Sequence, residues 1–321
     1  MSITQIENDG IFCSVVMPVH NGERFLREAI ESVLNQTYTN FEFLIIENCS
    51  ADSSVDIIKS YSDARIRLII ETDCGQVQAY NRGFKEAKGE YIFIHDQDDI
   101  SHPKRFEKQL NCMIDYNIDI CGSFLKLINE KGRILTTDMR SVDNNDIKNE
   151  VLYKSATIHN SSICINRRVF TEIGYWESTN YPVADCEFFI RASFSRFNFR
   201  NVPEFLYSYR RHSSQITASN KRKAKKTFRK IAIGYVNNKF KEKRKIYQYT
   251  GLIYYYTGNN LLAFYYLLTA FLFGEKSRKT KNYLIKIFFF GVFLSLIRRT
   301  KFIETDHFVK IKNTLIKTLN L

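Results

Sequence analysis

Apolar positions in the first 125 residues follow two alternating periods. Residues 13–19 (CSVVMPV), 43–46 (FLII), 67–70 (RLII) and 91–95 (YIFIH) are short, largely apolar runs of strand length. Between them the spacing changes to three and four. Within 23–35, Phe25, Leu26, Ala29, Ile30, Val33 and Leu34 share one helical face. Asp52 or Ser53 is placed to cap a helix running to Tyr61, 76–88 reads as another, and Pro103 suits the first turn of a further one. Alternating strand and helix predicts an α/β protein with a mostly parallel, Rossmann-like sheet flanked by helices on both faces. Ligands of such sheets bind at the carboxyl ends of strands, which selects the loops 18–22, 47–52 and 96–102.

The pattern is less regular over 119–217. It predicts short strands near 120–128, 133–136, 162–165 and 205–210, and helices near 143–153 and 185–195. After residue 217 the character changes. Residues 221–230 (KRKAKKTFRK) form a basic run. Residues 246–274 carry no formal charge and many aromatics, with Gly258-Asn259-Asn260 reading as a turn between two helices. Residues 287–297 (IFFFGVFLSLI) are apolar but shorter than the ~20 residues a helix needs to span a bilayer.

Charge sharpens this division. The 321 residues carry a net +13, yet residues 218–321 hold 23 Lys and Arg against 4 Asp and Glu, and residues 1–217 hold 24 against 30. An acidic globular part, 1–217, is thus followed by a C-terminal basic, aromatic α-helical extension, 218–321. An acidic first part argues against a nucleic-acid-binding core. The tail suits either an anionic membrane surface or a helical hairpin packed on the first part. A nucleic-acid-binding tail ranks lower, because its aromatics cluster in apolar runs instead of interleaving with the basic residues. Seven cysteines, without C-x-x-C spacing, read as buried reduced thiols of a cytoplasmic protein. The segment MSITQIENDG has no basic region followed by an apolar run, so no signal peptide is expected.

The chemistry concentrates in the three selected loops. Asp96, Asp98 and Asp99 follow an apolar strand directly, and acids this close repel one another unless a cation compensates them. Hard cations such as Mg²⁺ or Mn²⁺ take oxygen ligands of this kind; a D-x-D alone is more often an exposed acidic turn, and its place at a strand's carboxyl end favours the site. Pro18 ends the first strand, and Asn21-Gly22 permits a sharp turn beside any ligand above the sheet. Glu47 and Asn48 end the second strand, where a carboxylate and an amide can meet ribose hydroxyls or a base edge, while Ser50 or Asp52 caps the next helix.

The succession SVVMPVHNGERFLREAIESVLNQTYTNFEFLIIENCSADSS, then YNRGFKEAKGEYIFIHDQDDISHPKRFEKQ, resembles family 2 glycosyltransferases of GT-A fold, and the likeness covers about two thirds of the chain. It implies an inverting transfer from a nucleotide-diphosphate sugar with a divalent metal. It places Pro18 and His20 beside the nucleotide, Glu47 and Asn48 near the base, Asn81 in the donor site, Asp96 at the ribose and Asp98 on the metal. In DCEFFIR (185–191) it makes Asp185 the catalytic base, with Glu187 on a different helical side. In YRRHSSQIT (209–217) it brings Arg210 and His212 to phosphate oxygens or the metal. Two departures bear on nucleotide identity: Glu47-Asn48 stands where the family often has two aspartates, and Tyr80 where a basic residue is common. His159, in HNSS, is a candidate for the acceptor site. The implied acceptor is a glycan or lipid-linked hydroxyl in cell-surface polysaccharide synthesis, with the protein peripheral on the inner face of the membrane. A binding-only relative without turnover is the alternative, opposed by the presence of both the acidic loop and Asp185.

Overall fold

Nine strands form one sheet in the computed structural model, which describes residues 10–155, 157–213, 215, 220–275 and 277–287. Residues 1–9, on which the signal-peptide expectation rests, and the apolar run beyond residue 287 lie outside those residues. The chain divides into two compact units, Met1–Phe228 and Arg229–Leu321.

In the first unit, β1 (Cys13–Val19), α1 (Leu26–Leu34), β2 (Phe41–Asn48), α2 (Ser54–Lys59), β3 (Ile66–Glu71), α3 (Gln76–Glu86) and β4 (Tyr91–Ile94) follow the predicted alternation. They pair in the order β3-β2-β1-β4, all parallel. Side chains alternate across this sheet, as a strand's period of two requires. Cys13, Val15, Met17 and Val19 pack toward α1 (Leu26, Ala29, Ile30 and Val33) on one face. Val16, Leu44 and Ile46 pack toward Val77, Tyr80 and Phe84 of α3 on the other. Gly83 has no side chain because a Cβ there would lie 2.3 Å from Val16 Cγ1, so α3 seats directly on the sheet.

The remaining elements are β5 (Ile100–Ser101), α4 (Arg105–Asp115), β6 (Ile120–Ile128), β7 (Ile134–Asp138), α5 (Asn144–Glu150), β8 (Cys164–Asn166), α6 (Arg168–Ile173), α7 (Ala184–Ser193) and β9 (Phe199–Arg210). Beyond β4 the order is β8-β6-β9-β5, with β7 on β6. β8 runs antiparallel to β4 and β6, whereas β6 and β9 are parallel. The strand expected at 205–210 begins six residues earlier. Pro203 and Glu204 interrupt its apolar alternation, and they fall where the β6–β9 register shifts: Ser123 faces Val202, but Leu125 faces Tyr207.

Helix α8 (Lys221–Lys239) contains the division between the units. In the second unit, α9 (Lys243–Tyr256) and α10 (Asn260–Leu272) form the expected hairpin. Gly258, at φ 85°, makes the turn, and the Asn259 side chain accepts the Leu262 N–H. Leu261, Tyr265, Leu272 and Phe273 remain exposed. Among the described residues no helix is long and apolar enough to cross a membrane.

The expectation of seven reduced cysteines needs correction. Cys49 and Cys74 form a disulfide, while Cys13, Cys112, Cys121, Cys164 and Cys186 are buried free thiols. The two partners are 25 residues apart, but β2 and β3 are neighbours, and the loops following these strands meet at their carboxyl ends.

Candidate active site

The acidic loop is held from behind. Arg105 of α4 is fully buried and donates to the carbonyls of Ile94 (2.8 Å) and Ile163 (3.2 Å), fixing the end of β4. His95 is buried with Nδ1 2.7 Å from the Asp96 carbonyl, and burial drives its pKa down to about 3, so it is neutral. Asp96 then faces a cavity of about 700 Å³ at the strand ends, together with Gln97 and Asp98.

One ligand oxygen from each of Asp96, Asp98 and Asp99 lies within 4.8 Å of the others. Burial and the charge of Asp98 raise the Asp96 carboxyl to about 7, although the Tyr80 hydroxyl donates to it. Burial and the same neighbours push Asp99 well above the usual carboxylate range. Asp99 Oδ1 accepts the Arg210 N–H at 2.7 Å, but its buried Oδ2 has no partner. Mutually repelling carboxylates with an oxygen left over are the donor set a hard divalent cation compensates. His212 joins them, with Nε2 2.7 Å from Asp98 Oδ2.

Three further loops close the cavity. Pro18 and His20 line it from β1. The Gln97 amide clamps the His20 backbone, accepting its N–H at 2.7 Å and donating to its carbonyl at 3.0 Å. Asn48 also lines the cavity: its carbonyl lies 2.6 Å from His20 Nδ1, and its side chain accepts the Gly75 N–H at 3.0 Å. The Cys49–Cys74 disulfide ties the same two loops, and Cys74 and Gly75 form part of the wall.

Three of the expected donor-site residues lie elsewhere. Glu47 is buried and turns away to accept the Ser50 N–H at 2.5 Å. Asn81 bonds the Trp176 backbone in both directions, fixing α3 to the segment before α7. Arg210 is 1% exposed and does not line the cavity. Its guanidinium donates to the Asp98 carbonyl (2.8 Å), the Glu130 carbonyl (3.0 Å) and Glu28 (2.5 Å), and packs over Phe25. Here the forked donors of Arg210 brace the acidic loop from inside the protein.

Asp185 lies in the first turn of α7, and burial raises its carboxyl above the usual range. Its charge is felt at both Tyr80 and Asp96, although Asp185 is not among the residues lining the cavity. Glu187 faces away into a buried pair with Arg191 at 3.0 Å. Some participants were not singled out from sequence. Tyr207 accepts the Asp96 N–H at 3.1 Å, and Tyr181, Ser178 and Tyr209 line the cavity. The alternation of Tyr207 and Tyr209 on β9 is a signal for them, but only once β9 is known to end here.

A mostly parallel sheet with an acidic loop at its carboxyl end fits the GT-A glycosyltransferase class expected from the sequence. The chain belongs to glycosyl transferase family 2, whose model matches residues 14–174. It is 33% identical over 211 residues to an uncharacterized glycosyltransferase of Methanocaldococcus jannaschii, covering 64% of this chain and 72% of that one. It is 29% identical over 209 residues to the O-antigen biosynthesis glycosyltransferase WbnJ of Escherichia coli, covering 64% and 82%. Two solved structures share the fold. Staphylococcus aureus TarS with UDP-GlcNAc gives a TM-score of 0.62 at 15% identity, covering 85% of this chain and 84% of that one. The mannosyltransferase PcManGT of Pyrobaculum calidifontis, with GDP-Man and Mn²⁺, gives 0.59 at 13%, covering 96% and 84%.

Proposed function

We propose that this glycosyltransferase moves a sugar, with inversion, from a nucleotide-diphosphate donor to a hydroxyl of a glycan or lipid-linked acceptor in cell-surface polysaccharide synthesis. The observation that carries the reading is the cavity that gathers Pro18, His20, Asn48, Asp96 and Asp98, with the Asp185 carboxylate acting electrostatically on Asp96. The printed role of WbnJ and the donors bound by TarS and PcManGT are compatible with it.

Residues 1–217 carry the catalysis. The nucleoside lies against Pro18, His20 and Asn48, and Asp96 accepts from the ribose. Asp185 takes the proton of the acceptor hydroxyl as that oxygen bonds the anomeric carbon and the bond to the diphosphate breaks, releasing a nucleoside diphosphate. A raised pKa makes Asp185 a better proton acceptor than an ordinary carboxylate. Asp98 and His212 would hold a divalent cation, Mn²⁺ or Mg²⁺, which neutralises charge on the departing diphosphate.

Residues 218–321 hold the enzyme peripherally on the anionic inner face of the cell membrane. The exposed apolar residues of α10 and the net +19 of this region support that reading. Flotation with vesicles containing or lacking phosphatidylglycerol tests it: equal recovery with neutral vesicles, or none with either, rejects an electrostatic surface contact.

The transferase reading is tested by incubating the full chain with UDP- and GDP-sugars and Mn²⁺ and measuring nucleoside diphosphate release. Release from at least one donor, abolished by chelation and by Asp98→Asn, is expected. No release from any donor, with the folded chain binding neither UDP nor GDP, overturns it.

A further inference from the structure

We propose that the wall formed by Asp138, Arg140 and His159 beside Tyr209 binds a sugar ring of the acceptor through two neighbouring hydroxyls. This rests on the transferase reading above and names the site its second substrate uses.

Tyr209 lines the donor cavity, and the ring of His159 lies behind it with centroids 6.4 Å apart. His159 Nε2 is 3.0 Å from both Asp138 Oδ2 and the Arg140 guanidinium, and Asp138 and Arg140 are themselves ion-paired. The three side chains keep 20–27% of their surface exposed, so they are sunk in the wall yet reachable. Arg140 Nε, a donor, is buried without a partner, and so is Oδ1 of Asn160, the residue after His159. Buried polar atoms are satisfied in the great majority of cases, so an orphan donor in the cluster and an orphan acceptor on the residue following it point to a missing ligand. A sugar hydroxyl both accepts and donates, and is the complement of such a pair.

The position suits the second substrate. Cys186, next to Asp185, donates from Sγ to the Ser155 carbonyl at 2.9 Å, four residues before His159. The segment carrying His159 therefore touches both the helix of the proposed base and a wall residue of the donor cavity. An acceptor hydroxyl has to reach both. The chemistry suits a neutral sugar. A carboxylate accepts from one hydroxyl while a guanidinium donates to its neighbour, and Tyr209 offers an aromatic face to the C–H side of the ring. Burial lowers the pKa of His159, which leaves a neutral imidazole with one donor and one acceptor.

The sugar can belong to a glycan end or to a lipid-linked saccharide. Strand β7 exposes Ile134 and Leu135 nearby, so the contribution of an alkyl chain is measured separately. The probes are the methyl pyranosides of glucose, galactose, mannose and N-acetylglucosamine, followed by the octyl glycoside of any that binds. Binding to the full chain is read by saturation-transfer NMR and titration. At least one methyl pyranoside binds, and Arg140→Ala and the isosteric Asp138→Asn each weaken it by about tenfold or more, the loss of a charge-assisted hydrogen bond. The affinity for UDP or GDP with Mn²⁺ stays within about twofold of the wild-type value, which also shows that the variants fold. Tighter binding of the octyl glycoside assigns the lipid-linked source, and equal binding the glycan end. If none of the pyranosides binds, or the variants bind as the wild type does, the proposal is overturned. Retained nucleotide binding then leaves the transferase reading standing, and its absence removes that reading as well.

Discussion

Replacing Arg210 with methionine separates two roles for one guanidinium. A phosphate clamp and an internal brace both need arginine, but they fail differently. In the structure Arg210 is 1% exposed with its guanidinium over the Phe25 ring, and methionine fills similar space there with a thioether that also suits an aromatic face. What disappears are the donors to the carbonyls of Asp98 and Glu130, at 2.8 and 3.0 Å. Leaving a buried acceptor unsatisfied costs about 1–3 kcal/mol each. Glu28, 59% exposed, returns to water at little cost. Removing a buried charge recovers part of the loss, so the net destabilisation is about 3 kcal/mol. For a domain of this size each kcal/mol lowers the Tm by roughly 2–4 °C, giving a fall of about 6–12 °C. Calorimetric or fluorescence melting of the nucleotide-free protein measures it, and steady-state kinetics supplies the donor KM. A Tm within about one degree of wild type, together with a KM raised about tenfold or more, would show that the side chain reads phosphate after all.

Asp185→Asn keeps donor binding and lowers kcat by about a hundredfold or more, as loss of a general base does; near-normal turnover rejects the assignment. The raised carboxyl pKa of the wild type costs stability above that pKa, and the cost vanishes below the unfolded value near ~4. The variant should accordingly melt higher at pH 8 and no higher at pH 3. Gly22→Ala places a Cβ 2.6 Å from Gln97 Oε1, displacing a flexible side chain. The expected result is a small loss of stability, below about 1 kcal/mol, with several-fold weaker donor binding as the Gln97–His20 clamp opens; unaltered binding shows the clamp to be idle. Cys49→Ser removes a cross-link closing a 25-residue separation, worth about 3 kcal/mol in chain entropy, and should weaken nucleotide binding beside Cys74. A variant with unchanged melting and binding excludes a structural part for the bond.

The parallel half of the fold was legible because β1, β2 and β4 are buried on both faces and read as largely apolar runs. The acidic loop was legible because it follows one of these runs directly. The burial of Arg210 was not legible for a physical reason: the sequence displays a cation between polar neighbours, but not that its guanidinium packs over Phe25 and bonds the Glu130 carbonyl. The disulfide was hidden because pairing depends on β2 and β3 being adjacent, and sheet order is not local information. Glu47 and Asn81 have the chemistry of ligand-binding residues, yet the fold uses that chemistry to hold a turn and the backbone of Trp176. The Tyr80 departure proved informative in another way. A neutral hydroxyl there donates to Asp96 without adding positive charge, and the carboxyl remains at about 7.

The register shift in β9 sets which side of the sheet each catalytic neighbour faces. Between Val202 and Tyr207 the strand advances five residues while β6 advances only two. An odd surplus of three inverts the parity of everything downstream, so that Tyr207 and Tyr209 reach the Asp96 backbone and the cavity while Arg210 points inward. The short stretch around Pro203 and Glu204 therefore works as a phase adjuster. Deleting one residue there would exchange the tyrosine and arginine sides of the strand without altering any residue of the site itself, whereas a two-residue change would preserve them. Insertions and deletions in this exposed stretch can thus remodel the site from outside it, with parity deciding which ones it survives.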